Sequence, residues 1–169
     1  MRRVLVFAGV IVVALLLEST VLASVRLGGA RPDLLVIAVV AVAMTAGPTS
    51  AACFGFSAGL VADLLFARPV GVAALVYTCL GFAVGVGRVY LVGSRTWVHL
   101  LLTGAASLAA VWSAGLVLRV LDLSSWAFVA RTGPLVALYN LLLAPVVYPL
   151  VRRLVADTAP ERVYRWQGG

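Results

Sequence analysis

The chain has 169 residues, of which 63% are hydrophobic and 11% charged. A soluble globular domain is about 45–50% apolar and about 25% charged, so the composition excludes that class, together with disordered, collagenous and disulfide-stapled chains. All 13 basic residues are arginine, against six acids, for a formal charge of +7. The arginines stand at the edges of apolar runs rather than in one stripe, which favours membrane topology over a nucleic-acid partner.

The first apolar run, Val4 to Ala23, follows Arg2 and Arg3. It is longer than the apolar region of a signal peptide, about 7–15 residues, and Glu18 interrupts it, so a spanning helix is expected over 4–23. Gly28 and Gly29 then break the chain, and Pro32 stands at a first-turn position. A second helix is therefore expected over 33–46, closed by Gly47 and Pro48. Its apolar core, Leu34 to Ala46, covers about 20 Å, less than a hydrocarbon core of about 30 Å, and reads as a short tilted span or half of a re-entrant hairpin. The third helix, 49–66, ends before Arg68 and Pro69. Helices four, five and six are expected over 70–92, 97–121 and 134–155, the last kinked near Pro145. The stretch Asp122 to Thr132 reads as an interfacial loop or short surface helix. The whole forms an all-α, six-helix transmembrane bundle in one domain, 1–155, with a short tail, 156–169.

With the N-terminus in the cytoplasm, one side of the membrane holds Arg2, Arg3, Arg88, Arg95, Arg152, Arg153, Arg162 and Arg165. The other holds Arg26, Arg31, Arg68, Arg119 and Arg131. The excess predicts both termini inside.

Few residues are candidates for function. A charge at mid-bilayer costs about 2.5–3.5 kcal/mol on the insertion scale, so Glu18 requires an offset: an arginine such as Arg31 or Arg68, a proton, or hydrogen bonds at a helix contact. Gly55, Gly59 and Asp63 share one face of the third helix, and Tyr77, Gly81 and Gly85 repeat the spacing on the fourth. Glycines at that spacing let backbones approach closely, which makes the two helices expected neighbours. Glu18, Asp33, Asp63 and Arg68 are expected to form an outer polar cluster at the partner-facing end. Arg88, Arg95, Arg152 and Arg153 form a basic inner rim suited to anionic lipid. His99 has no second ligand at metal spacing, and Cys53 and Cys79 read as packing residues. No GxSxG, Walker loop or HExxH occurs, so no catalytic, metal or cofactor residue is assigned.

With these positions in hand, the chain resembles the rod shape-determining MreD family of bacteria. The resemblance is carried by Glu18-Ser19-Thr20, by Arg31-Pro32-Asp33-Leu34-Leu35, and by the stretch from Gly55 through Asp63-Leu64-Leu65 and Arg68-Pro69-Val70-Gly71 to Tyr77. It implies a non-enzymatic component of the cell (inner) membrane that binds MreC. It further implies coupling of MreB filaments to the wall synthase formed by RodA and a class B penicillin-binding protein, and a helical core similar to the S-components of energy-coupling-factor transporters.

Two other readings compete. A small-molecule transport subunit needs a pocket where polar groups converge, with Glu18, Asp63, Tyr77 and Asn140 as candidates. A membrane transferase acting on lipid head groups needs gathered carboxylates, whereas the four acids near membrane depth lie on four elements.

Overall fold

The structure, a computed structural model, describes residues 2–20, 32–66, 69–91, 96–121 and 126–156. These form six helices: α1 (Arg2–Thr20), α2 (Leu34–Ala46), α3 (Pro48–Leu65), α4 (Val72–Leu91), α5 (Thr96–Val120) and α6 (Trp126–Ala156). No strand occurs among the described residues. Arg2–Thr20, Pro48–Leu65, Leu101–Val120 and Val129–Ala156 are long and apolar enough to cross a membrane; α2 and the Val72–Arg88 part of α4 are shorter apolar helices.

The shortest helix is the core. A helix that is apolar all round has no face to give to water and is buried on every side. In α2 every residue from Leu34 to Ala43 is buried, and the helix touches all five others. Around it, α3 and α4 form one tight antiparallel pair and α5 and α6 another. The peripheral helix α1 buries only Val10, Ile11, Ala14 and Leu15, helped by an edge-on contact of Phe7 with Phe54 at 5.2 Å. Leucines and valines at 138, 142, 146, 150 and 154, one per helical turn, line the exposed face of α6 as a lipid-facing stripe.

The sixth helix corrects the sequence reading. It starts at Trp126, not at Pro134, so residues 126–132 are not a loop or a separate surface helix. Pro134, Pro145 and Pro149 all lie inside it. Its first turns stay helical because α5 seats them: Val129, Thr132, Val136 and Ala137 are buried, and a Cβ on Gly115 would come under 3.0 Å from the Val129 side chain. Such packing compensates for the hydrogen bond each proline removes.

Candidate functional site

The polar residues of the bundle collect where helices begin. The first N–H groups of a helix have no partner inside it, and in hydrocarbon no water replaces one. At the start of α2 the chain answers with side chains from three helices. The Leu34 N–H donates to Glu18 Oε1 of α1 at 2.5 Å and the Leu35 N–H to the same oxygen at 3.4 Å. Asp33, the N-cap, accepts from the Val36 N–H through Oδ1 at 3.1 Å. Its own N–H donates to Asn140 Oδ1 of α6 at 2.9 Å. The Tyr77 hydroxyl of α4 donates to Asp33 Oδ2 at 2.6 Å.

The network continues through the core. Asn140 Nδ2 donates to Ser107 Oγ at 2.8 Å, and the Ser107 hydroxyl donates to the Thr103 carbonyl at 2.8 Å. Asn140, Ser107 and Thr103 are fully buried. Helices α1, α2, α4, α5 and α6 thus meet in one connected set of hydrogen bonds.

The α3–α4 connection uses the same device. Asp63, fully buried two residues before the end of α3, accepts through Oδ2 from the N–H groups of Gly71 at 2.9 Å and Ala73 at 3.0 Å. Its Oδ1 is buried and has no hydrogen-bond partner among the described residues. In both cases a carboxylate near the end of one helix satisfies the start of the next, where the helix dipole also favours negative charge.

The depth of the junction follows from α6. At about 1.5 Å per residue, the exposed Arg131 and Arg152 stand about 31 Å apart, the thickness of a hydrocarbon core. On that scale Asn140 lies about 14 Å from the first and about 18 Å from the second. The start of α2, bonded to Asn140, therefore lies between the levels of these two arginines rather than at either of them. That explains why carboxylates occur at membrane depth at all.

Of the residues proposed as an outer cluster, Glu18 and Asp33 meet at one helix start and Asp63 serves another; Arg68 lies outside the described residues. The glycines line the α3–α4 contact, with those of α4 packed on the first turns of α3 and those of α3 packed on the first turns of α4. A Cβ on Gly85 would meet Pro48, on Gly81 Ala51, on Gly55 Tyr77 and on Gly59 Ala73 and Ala74, each under 3.0 Å from backbone. Tyr77 thus serves twice, its carbonyl against Gly55 and its hydroxyl on Asp33. Sequence reasoning missed Ser107 and Thr103, and treated Asn140 only as a pocket candidate. A lone amide in an apolar run was the available signal.

The opposite end of α2 carries cations. Arg88 of α4 lies against Gly47, which closes α2 at φ +92°, and donates from Nη1 to the Thr45 carbonyl at 3.4 Å. Arg3 of α1 donates from Nη2 to Ser50 Oγ at 2.6 Å and stacks 5.4 Å from the Phe7 ring centre. Acids at its start and an arginine at its end both complement the α2 dipole.

No curated protein and no solved structure matches the chain, so the expected likeness to S-component cores rests on the resemblance alone. A family model does match: that of the rod shape-determining protein MreD, over residues 1–157. With that match over the whole six-helix bundle, the chain belongs to the MreD family of integral membrane proteins that determine rod shape.

Proposed function

We propose that the protein is a non-enzymatic membrane scaffold of the rod-shape complex. It binds MreC and, with it, helps couple MreB filaments to the wall synthase of RodA and a class B penicillin-binding protein during side-wall growth. Family membership supports the shape-determining role. The observation that carries the scaffold reading is the use made of the polar groups: Glu18, Asp33, Asp63, Tyr77 and Asn140 bond to helix starts and to one another. A transport subunit would instead turn such groups toward a ligand.

On this reading the carboxylate junction works indirectly. It holds the ends of α1, α3 and α4 in one arrangement, and MreC recognises the end so formed. Both termini are cytoplasmic, in keeping with the arginine excess on that side. Recognition runs laterally through helix faces, where van der Waals packing and small residues drive association.

Deletion in a rod-shaped host tests the role. Loss of rod shape and of side-wall incorporation, both restored by the intact chain, is the expected result; normal shape with normal side-wall synthesis contradicts it.

A further inference from the structure

We infer that the protein thins the bilayer on one flank, drawing the leaflet opposite the α2–α3 turn down to the end of the α3–α4 hairpin. The flanks of the bundle differ in length. α3 has 18 residues and the apolar part of α4 runs from Val72 to Arg88, whereas the apolar part of α6 has 28 residues, Val129–Ala156. At about 1.5 Å per residue the first two cover about 24–27 Å, under a hydrocarbon core of about 30 Å, and the last about 42 Å.

The hydrogen-bonded junction sets these helices in register, because Tyr77 of α4 and Asn140 of α6 both bond to Asp33. Counted from there, Arg88 lies about 17 Å toward the α2–α3 turn and Arg152 about 18 Å, so the two helices reach one level at that end. The difference falls at the other end. α4 begins at Val72, about 8 Å beyond Tyr77, while α6 continues about 14 Å to Arg131 and about 21 Å to Trp126. α5 keeps pace with α6, since Arg119 stands about 18 Å beyond Ser107, the partner of Asn140. α3 does not make up the deficit: two residues before its end, Asp63 is tied to Gly71 and Ala73 at the start of α4.

This low end requires water above it and hydrocarbon beside it. The last four carbonyls of a helix have no partner within it, and lipid supplies no donor. The Asp63 carboxylate satisfies amides of α4 but, as an acceptor, does nothing for the carbonyls that end α3. Around the same end Leu64, Leu65 and Val70 are exposed and apolar, which suits acyl chains. Both needs are met where the leaflet descends to the hairpin, the usual accommodation of a span shorter than its bilayer.

Labelling by a charged thiosulfonate, added to both sides of phosphatidylcholine vesicles, tests this in the full chain carrying Cys53→Ala and Cys79→Ala. Leu64→Cys and Leu138→Cys place thiols at exposed positions of the short and the long flank, about 8 Å and about 3 Å beyond the junction. Leu64→Cys is expected to react on the order of a hundredfold faster, the factor for carrying a charged reagent to mid-bilayer. Its rate should approach that of Val120→Cys, exposed beyond the level of Arg131, and the advantage should persist in vesicles with longer acyl chains. At the opposite end Tyr90→Cys and Leu154→Cys, also exposed and each about 3 Å past Arg88 and Arg152, are expected to react alike. Equal rates at 64 and 138, or a Leu64→Cys that slows to the rate of Leu138→Cys in the thicker membranes, places the hairpin end under hydrocarbon and overturns the proposal. A fast Leu64→Cys together with a slow Tyr90→Cys shows a tilted bundle in an unthinned bilayer and overturns it as well.

Discussion

Glu18→Leu is the sharpest perturbation of the junction. It keeps helix propensity and apolar volume in α1 while removing the acceptor of two α2 amides. The Leu34 bond at 2.5 Å is the strong one; the Leu35 contact at 3.4 Å adds little. Hydrogen bonds to a charged group contribute about 1.5–3 kcal/mol, and an orphaned buried donor costs about 1–3 kcal/mol. Against this, a leucine recovers about 2.5–3.5 kcal/mol of insertion cost, but only if the carboxylate sat unpaired in hydrocarbon. Because it is bound to a helix start, most of that cost is already offset, and a net loss of about 2 kcal/mol is expected. Glu18→Gln keeps an acceptor oxygen and loses only the charge, for about 1 kcal/mol. The assay is reversible unfolding in mixed micelles titrated with dodecyl sulfate. A loss at or below about 0.6 kcal/mol for the leucine variant, the average for replaceable interhelical hydrogen bonds in membrane proteins, refutes the reasoning. So does a glutamine variant as damaged as the leucine one.

Other expectations follow from single contacts. Gly59→Ala forces a Cβ into the Ala73–Ala74 backbone and is expected to cost about 1–3 kcal/mol in the same unfolding assay, whereas Gly87→Ala, with open space around it, should be neutral or stabilising by up to about 1 kcal/mol. Tyr77→Phe removes the hydroxyl from Asp33 and should cost about 1 kcal/mol, less than Asn140→Leu, which strands both the Asp33 N–H and Ser107. Cys53 and Cys79 are exposed on α3 and α4. In intact membranes they should react with an apolar maleimide and resist a charged thiosulfonate, so rapid labelling by the charged reagent would displace those faces from the lipid.

Local signals in the chain were legible. Pro32-Asp33 marked the start of α2, and Asp33 is its N-cap. The spacing of Gly55, Gly59, Gly81 and Gly85 marked α3 and α4 as neighbours, since only close backbones require glycine in register. What Glu18 bonds to was not legible, because the donors are backbone amides that every residue carries. The placement of α2 at the centre was hidden for a related reason: a run apolar on all sides has no periodicity to orient it. Asn140, Ser107 and Asp33 stand far apart in the chain, and only the packing of α5 and α6 on α2 joins them. The start of α6 was misread because Thr132, Gly133 and Pro134 carry loop signals that burial against α5 overrides.

The scaffold account meets its most direct test in the co-purification of MreC with the tagged full chain from membranes of its rod-shaped host, for wild type and Asp63→Lys. Wild type is expected to retain MreC through washing, and Asp63→Lys to insert in comparable amount while losing most of it. Wild-type chain recovered without MreC contradicts the account, and MreC retained undiminished by Asp63→Lys removes the Asp63 end of the bundle from recognition.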